Sequence, residues 1–109
     1  MPTAYKVLGQ SAPAATTATT LYTVPSATET VVSTIAVANR SATAATFRIA
    51  IRPDGVTLAN EHYVAYDSPI AGNDAVFITV GVTANTSDVI TVYASTANLS
   101  FSAFGSEIS

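Results

Sequence analysis

The sequence predicts a single all-β domain, an antiparallel β-sandwich or jelly-roll-like fold of about eight strands. Three observations predict it. Apolar and polar residues alternate in short segments along the whole chain, as in half-buried strands. Turn-forming residues separate these segments at intervals of about ten residues. No window keeps the apolar spacing of an amphipathic helix, and 109 residues is the usual size of one domain.

Four strands are predicted in the first half of the chain, at 4–8, 20–24, 30–39 and 46–52. Within 30–39, strict alternation puts Val31, Ile35 and Val37 on one face together with Ser33. Within 46–52, Phe47 and Ile49 alternate with the two arginines. Between the first two strands, residues 10–19 are a low-complexity Ala/Thr/Ser segment with one proline, which predicts an extended arm or a crossing.

Four further strands are predicted at 62–67, 75–82, 88–94 and 99–104. The clearest is 75–82, where valine or isoleucine occupies every second position. The turn residues lie between the predicted strands, at Pro53-Asp54-Gly55, Gly72-Asn73-Asp74 and 85–88 among others. A chain of this pattern is typical of a sandwich or jelly roll.

Charged residues are unusually scarce. They make up 10 % of the chain, against about 25 % in an average globular protein, although 49 % of residues are hydrophobic and mean hydropathy is +0.39. The sequence therefore predicts a folded domain with a neutral, small-residue surface. Such a surface is poorly protected against association, so we expect copies or partners to cover much of it.

The same composition disfavours several classes of partner. A net charge of −3 disfavours a phosphate backbone, so no nucleic-acid partner is expected. No apolar run approaches the ~18 residues of a membrane-spanning helix, so no membrane partner is expected. The first residues lack the basic and apolar regions of a signal peptide, so direct export is not expected. The absence of cysteine excludes disulfides and thiolate metal sites.

Nothing in the sequence has the pattern of a reaction centre. His62 is the only histidine and no Gly-x-Ser-x-Gly elbow is present, so we expect neither an enzyme nor a bound cofactor. Asp54, Asp67, Asp74 and Asp88 lie mostly at predicted turns or strand ends, where their carboxylates would accept bonds from backbone N–H groups. A calcium site built from these aspartates is an alternative.

Two pairs of side chains could take part in recognition. Arg48 and Arg52 lie on one face of a strand, where they either pair with acidic neighbours in water or contact another protein, because arginine is enriched at interfaces. Tyr63 and Tyr66 are three residues apart and are predicted on opposite faces. Core or interface packing is the expected role of these tyrosines, and stacking on a sugar ring is the alternative.

The last predicted strand is the other candidate contact. Residues 99–108 are apolar to within a residue of the C-terminus, so Leu99, Phe101 and Phe104 are candidate interface residues, and the strand could pair with an adjacent subunit. The 10–19 segment could likewise lie along a neighbour.

These segments also carry a resemblance. The stretches YKVLGQ at 5–10, LYTVPSATETVVSTIAVANRSATAATFRIAIRPDG at 21–55 and VITVYASTANLSFSAFGSEIS at 89–109 resemble small virion structural proteins of tailed bacteriophages, such as cyanophages and related marine phages. The resemblance covers nearly the whole chain. Its most specific parts are the opening YKVLGQ and the closing NLSFSAFGSEI.

The resemblance implies a non-enzymatic building block of the virion, assembled in the host cytoplasm and present in several copies. A head decoration or cement subunit is the favoured role, because a compact domain without fibrous repeats or a coiled coil suits it. A tail, baseplate or fibre-attachment subunit is the alternative. A homo-oligomer, in particular a trimer, in contact with other virion proteins is expected, and a carbohydrate-binding or host-recognition module is the hypothesis of another class.

Overall fold

The computed structural model describes residues 3–109, which form eight strands in two four-stranded antiparallel sheets packed as a sandwich. The predicted all-β fold of about eight strands is confirmed. Two short 3₁₀ turns, Pro53–Gly55 and Asn60–His62, precede the fifth strand. The strands are β1 (Thr3–Ser11), β2 (Thr19–Thr23), β3 (Glu29–Asn39), β4 (Ala45–Arg52), β5 (Tyr63–Ile70), β6 (Ala75–Ala84), β7 (Val89–Ala94) and β8 (Leu99–Ile108).

The strand order is that of a jelly roll. The first sheet has the order β1-β8-β3-β6 and the second β2-β7-β4-β5. First and last strands pair, then second and seventh, third and sixth, and fourth and fifth. The chain therefore behaves as one long antiparallel hairpin rolled into two layers, and β1, β6, β2 and β5 are the four edges.

The core lies between the two sheets. At its centre Phe47 of β4 meets Phe101 of β8 edge to face, with ring centroids 6.2 Å apart. Around them the buried side chains are mostly aliphatic, as alternation on both inner faces requires. The largest others are Leu99, Ile35, Ile49, Ile70, Ile90, Val32, Val37 and Val92.

The 10–19 segment is shorter than predicted, because β1 continues to Ser11 and β2 begins at Thr19. Residues 12–18 cross from the first sheet to the second. Pro13 is buried, and the Thr16 N–H donates to the Ala94 carbonyl at 2.8 Å. The segment is therefore tied to its own subunit as a crossing, and is not a free arm.

Three strands of the first sheet depart from regular register, between Val7 and Gly9, at Ser33, and near Gly81. Each departure inserts one extra residue, as in a β-bulge. The prediction that Val31 shares a face with Ile35 and Val37 is wrong for this reason. The extra residue at Ser33 turns Val31 outward, while Ile35 and Val37 remain fully buried.

The fifth strand is also longer than predicted, because it continues through Pro69 to Ile70. A proline is tolerated there because β5 is an edge strand, on which the missing N–H can be on the solvent side.

Candidate interaction surfaces

The outer face of the first sheet has four successive cross-strand rows without a charged side chain. Cross-strand register defines these rows, because residues opposite one another share a face. Lys6 and Glu107 belong to the other side of the sheet, and Glu29 lies at the start of β3, beyond the row that contains Tyr5 and Val31. The rows consist of Tyr5, Ser106, Val31 and Thr83; Val7, Phe104, Thr34 and Thr79; Gln10, Ser102, Ala36 and Phe77; and Ser100, Ala38 and Ala75.

Large apolar groups are exposed on this face. Tyr5 is 85 % exposed and Phe77 is 69 % exposed. They lie on β1 and β6, the two edge strands of this sheet. Beside Tyr5 a shallow groove of about 500 Å³ is lined by Tyr5, Val31, Ser33 and Phe104 among others, and Lys6 also contributes to its lining. Ser33, the bulged residue, donates its hydroxyl to the Phe104 carbonyl at 3.1 Å, which fixes the floor of the groove.

The outer face of the second sheet is different, because a charged and aromatic cluster covers it. Arg48 Nε donates to Asp67 Oδ1 at 2.7 Å, and the guanidinium lies 4.2 Å from the ring centre of Tyr66 and 4.3 Å from that of Tyr93. The hydrogen bond with Asp67 raises the pKa of Arg48 above its ordinary value. Arg48 thus has an acidic partner in its own chain, which is the simpler of its two predicted roles.

The two predicted tyrosines join this cluster together. Tyr63 and Tyr66 meet edge to face with ring centroids 4.9 Å apart, so the prediction of opposite faces is wrong. The β4–β5 register shifts between the Ile49–Ala65 and Ala50–Tyr63 pairs. One extra residue there turns Tyr63 to the same side as Tyr66.

Arg52 shares the face of Arg48 but has a different role. Its Nη2 donates to the Gly55 carbonyl at 2.8 Å and its Nε to the Val56 carbonyl at 2.7 Å. These bonds hold the turn that follows β4, where Asp54 has a φ of 54°. The arginine is therefore a structural clamp on a tight turn.

The candidate contacts on the last strand divide between two environments. Leu99 and Phe101 have no exposed surface, because their side chains point into the core, so their prediction as interface residues is wrong. Phe104 lies on the outer face, after two further residues of β8. The strand itself lies between β1 and β3 and has both edges paired, so it cannot add to the sheet of another subunit.

Two of the four turn aspartates, Asp74 and Asp88, bind backbone N–H groups as predicted, whereas Asp67 pairs with Arg48. Asp88 accepts the N–H groups of Asp54 and Asn85, each at 2.9 Å, and Asp74 accepts that of Ala75. His62 is buried, and its Nδ1 accepts the Ala59 N–H. Across residues 3–109 no three His, Asp or Glu side chains lie close enough together to hold a metal ion.

One polar cluster at the end of the sandwich was not found from the sequence. Tyr22 donates its hydroxyl to Glu107 Oε2 at 2.5 Å and lies 2.8 Å from the Thr30 hydroxyl, while Lys6 pairs with the other carboxylate oxygen at 2.8 Å. Burial and the bond to Glu107 raise the pKa of Tyr22 to about 12. The bonds from Lys6 and Tyr22 hold the pKa of Glu107 below its ordinary value.

Neither a protein-family model, nor a curated protein, nor a solved structure matches the chain at a significant level. Among the described residues there is no helix with the length and apolar character required to span a membrane.

Proposed function

We propose that this chain is a non-enzymatic structural protein of a tailed-bacteriophage virion, and that its role is that of a capsid decoration or cement subunit. The sequence resemblance over 5–10, 21–55 and 89–109 supports the proposal. The jelly roll agrees with it, since this fold recurs in viral shells. The same fold serves many other functions, so the argument depends on the surface.

The observation that carries the proposal is the uncharged outer face of the first sheet. Strand spacings of ~4.8 Å and a rise of ~3.3 Å per residue give its four rows roughly 500 Å². Two such faces in contact would cover about 1,000 Å², the lower bound of a specific interface. We assign other copies of this chain as the occupant, because two uncharged faces meet without like-charge repulsion or the desolvation of an unpaired ion.

A homo-oligomer follows. Contact between two identical faces joins copies in pairs, whereas the trimer expected from the sequence would need this face to contact a different surface of the next copy. Sedimentation of the purified chain over a wide concentration range tests for a homo-oligomer, and reversible association is the expected result. A monomer at every concentration would contradict the claim that other copies cover the outer face.

The position on the particle needs a separate experiment. Antibodies against the chain, applied to purified phage particles, should label the head at regular positions. Label confined to the tail would favour the alternative role of a tail, baseplate or fibre-attachment subunit. Particles that bind no antibody and contain none of the chain by mass spectrometry would contradict the virion role.

The tyrosine cluster of the second sheet favours carbohydrate binding as a second candidate function. Tyr66 is 56 % exposed and packs with Tyr63, and sugar rings stack on such aromatic side chains. Binding on a glycan array that is lost in Tyr66→Ala but kept in Tyr5→Ala, an exposed tyrosine of the other sheet, would support this function. Absence of binding to host polysaccharides would remove it.

A further inference from the structure

The free edge of β6 differs from the other three edges of the sandwich. Proteins usually protect an edge with a charge, a proline, a bulge or a short strand, because its unpaired N–H and C=O groups can bind another strand. Edge strand β1 carries Lys6, β2 has five residues, and β5 carries Asp67, Pro69 and two register shifts. By contrast, β6 has ten residues with neither charge nor proline, and its one bulge, near Gly81, leaves the first five residues regular.

The backbone groups that β6 leaves free can be identified. The Asn39 N–H donates to the Asp74 carbonyl at 2.9 Å, which makes these two residues a hydrogen-bonded pair at the start of the β3–β6 ladder. Such pairs alternate with non-bonded pairs in an antiparallel ladder. Ala75, Phe77 and Thr79 therefore direct their N–H and C=O groups away from β3, toward the open edge.

The regular part of this edge is short and symmetric. A turn with Asn73 at a φ of 54° precedes it, and the bulge between Thr79 and Val82, where Gly81 has a φ of 58°, ends it. The five residues 75–79 lie between these limits with Phe77 at the centre. Phe77 has the β-branched Val76 and Ile78 directly on either side, and the short side chains of Ala75 and Thr79 beyond them.

The side chains of this stretch also lack full cover. Val76, Ile78 and Val80 pack against the core but remain partly exposed, because β6 is the last strand of its sheet. A further strand beside β6 would complete their burial. It would also cover part of Phe77, which is mostly exposed on the outer face.

We propose that β6 pairs antiparallel with β6 of a second copy of this chain, about a two-fold axis through Phe77. Phe77 then lies opposite its equivalent, and Ala75 lies opposite Thr79 of the second copy. These pairs direct their free backbone groups at one another and exchange about six hydrogen bonds. Val76 faces Ile78 of the second copy on the inner side, and small residues beside Phe77 leave room for two phenyl rings.

This contact deepens the proposed function and rests on its homo-oligomeric part. It is isologous and two-fold, so it joins copies in pairs, either as a dimer or between larger rings. It also aligns the outer faces of two first sheets in one uncharged surface, since paired residues share a face. A second copy is favoured over an unrelated peptide because the edge is complementary to itself about Phe77.

The chain contains no cysteine, so cysteine variants test the register directly. Ala75→Cys and Thr79→Cys are prepared separately, mixed, and oxidised. In the proposed register the two thiols meet at Cα separations of about 5.5 Å, within disulfide range. We expect the mixture to form a covalent dimer at least about tenfold faster than either variant alone, whose own equivalent thiols would be about 13 Å apart.

A mixture of Ala75→Cys with Thr83→Cys is the matched control, because Thr83 lies on the same face beyond the bulge. It should remain uncrosslinked. Equal rates in all mixtures would overturn the register.

Thr79→Pro tests the edge itself. Because the Thr79 N–H points away from β3, proline removes an edge donor and leaves the β3 ladder intact. Two donors are lost per dimer, so the dissociation constant should rise about 100-fold, whereas Thr79→Ala should change it by less than about threefold. Thermal unfolding of the diluted variants checks that both fold.

The outcomes separate the edge contact from the proposed function. Thr79→Pro that associates like the parent chain would overturn β6 pairing while leaving association through the outer face in place. A chain that is monomeric at every concentration would also overturn β6 pairing between copies. The open edge of β6 would then be available only to a different protein. The virion role is decided independently by antibody labelling of particles.

Discussion

The two sheets of this jelly roll share one core but have opposite outer surfaces. On the second sheet Arg48 stacks on two tyrosines and pairs with Asp67, and Arg52 clamps a turn. The outer face of the first sheet has four rows of threonine, serine, alanine and exposed apolar side chains. The chain's few charges are therefore distributed unevenly, and the second sheet is the one suited to water.

The edges repeat this difference. Within the second sheet, β5 is interrupted by two bulges, a proline and an aspartate, all of which discourage pairing. Within the first, β6 remains open and uncharged. Because face and edge differ in the same direction, one side of the molecule is adapted to contact and the other to solvent.

The largest expected effect is a difference in stability between substitutions on the inner and the outer side of the first sheet. Phe101→Ala removes a fully buried ring that packs on Phe47, and should lower the free energy of unfolding by about 3–5 kcal/mol. Phe77→Ala, on the outer face, should change the stability of an isolated copy by less than about 0.5 kcal/mol. Urea unfolding of dilute protein measures both. Similar losses for the two would mean that the outer face already stabilises a single copy.

Charge insertion compares the two outer faces directly. Ser102→Lys places an ammonium group at the centre of the first outer face, where an occluding copy would bury it unpaired, so association should weaken about 100-fold. Thr46→Lys adds the same charge to the outer face of the second sheet and should change association less than about threefold. Sedimentation equilibrium measures both constants. Equal effects would abolish the distinction between the faces.

The bulge of β6 offers a smaller test. Gly81 has a φ of 58° and no heavy atom within 4 Å of an added Cβ, so Gly81→Ala meets a backbone cost without a clash. A loss of about 1–2 kcal/mol in unfolding free energy is expected. Thermal unfolding of Gly81→Ala measures this loss, and Thr79→Ala, on the same strand at a negative φ, is the control. No loss would show that the bulge relaxes easily and does not limit strand pairing.

The smallest expected effect comes from the charged pair on the inner side of the first sheet. The pKa of Glu107 is held below its ordinary value by Lys6 and Tyr22, so the folded state binds fewer protons than the unfolded state. Its contribution to stability is present above the ordinary carboxyl pKa, near 4.5, and is lost as pH falls through the lower folded pKa. Glu107→Gln should flatten the dependence of stability on pH in this acid range.

Tyr22→Phe is the matched variant, since it removes one of the two donors to Glu107. It should flatten the dependence of stability on pH in the acid range only partly. Acid unfolding of the three proteins compares them. If the stability of Glu107→Gln depends on pH in the acid range as that of the parent chain does, Glu107 does not make this contribution.

Local periodicity predicted the strands but not their neighbours. The sequence pattern predicted all eight strands, because most of them have one face on a shared core. Whether a strand is central or at an edge depends on residues far away in the chain. For that reason Leu99 and Phe101 were predicted at an interface, although β8 lies between β1 and β3 and buries both.

Bulges explain the remaining errors. A single inserted residue reverses every later side chain of a strand, and it leaves no reliable mark on composition. For this reason the predictions that Val31 shares a face with Ile35 and that Tyr63 and Tyr66 lie on opposite faces are wrong. The ion pair between Lys6 and Glu107 could not be predicted for a different reason: the two residues meet only because the first and last strands pair.

Hydroxyl-radical footprinting at low and high protein concentration tests the central claim most directly. As concentration rises, we expect growing protection of Tyr5, Phe77 and Phe104 on the first outer face, while Tyr66 and Tyr93 on the second keep their reactivity. Unchanged reactivity at Tyr5, Phe77 and Phe104, or protection of the second sheet alone, would contradict the assignment of the uncharged face to contact between copies.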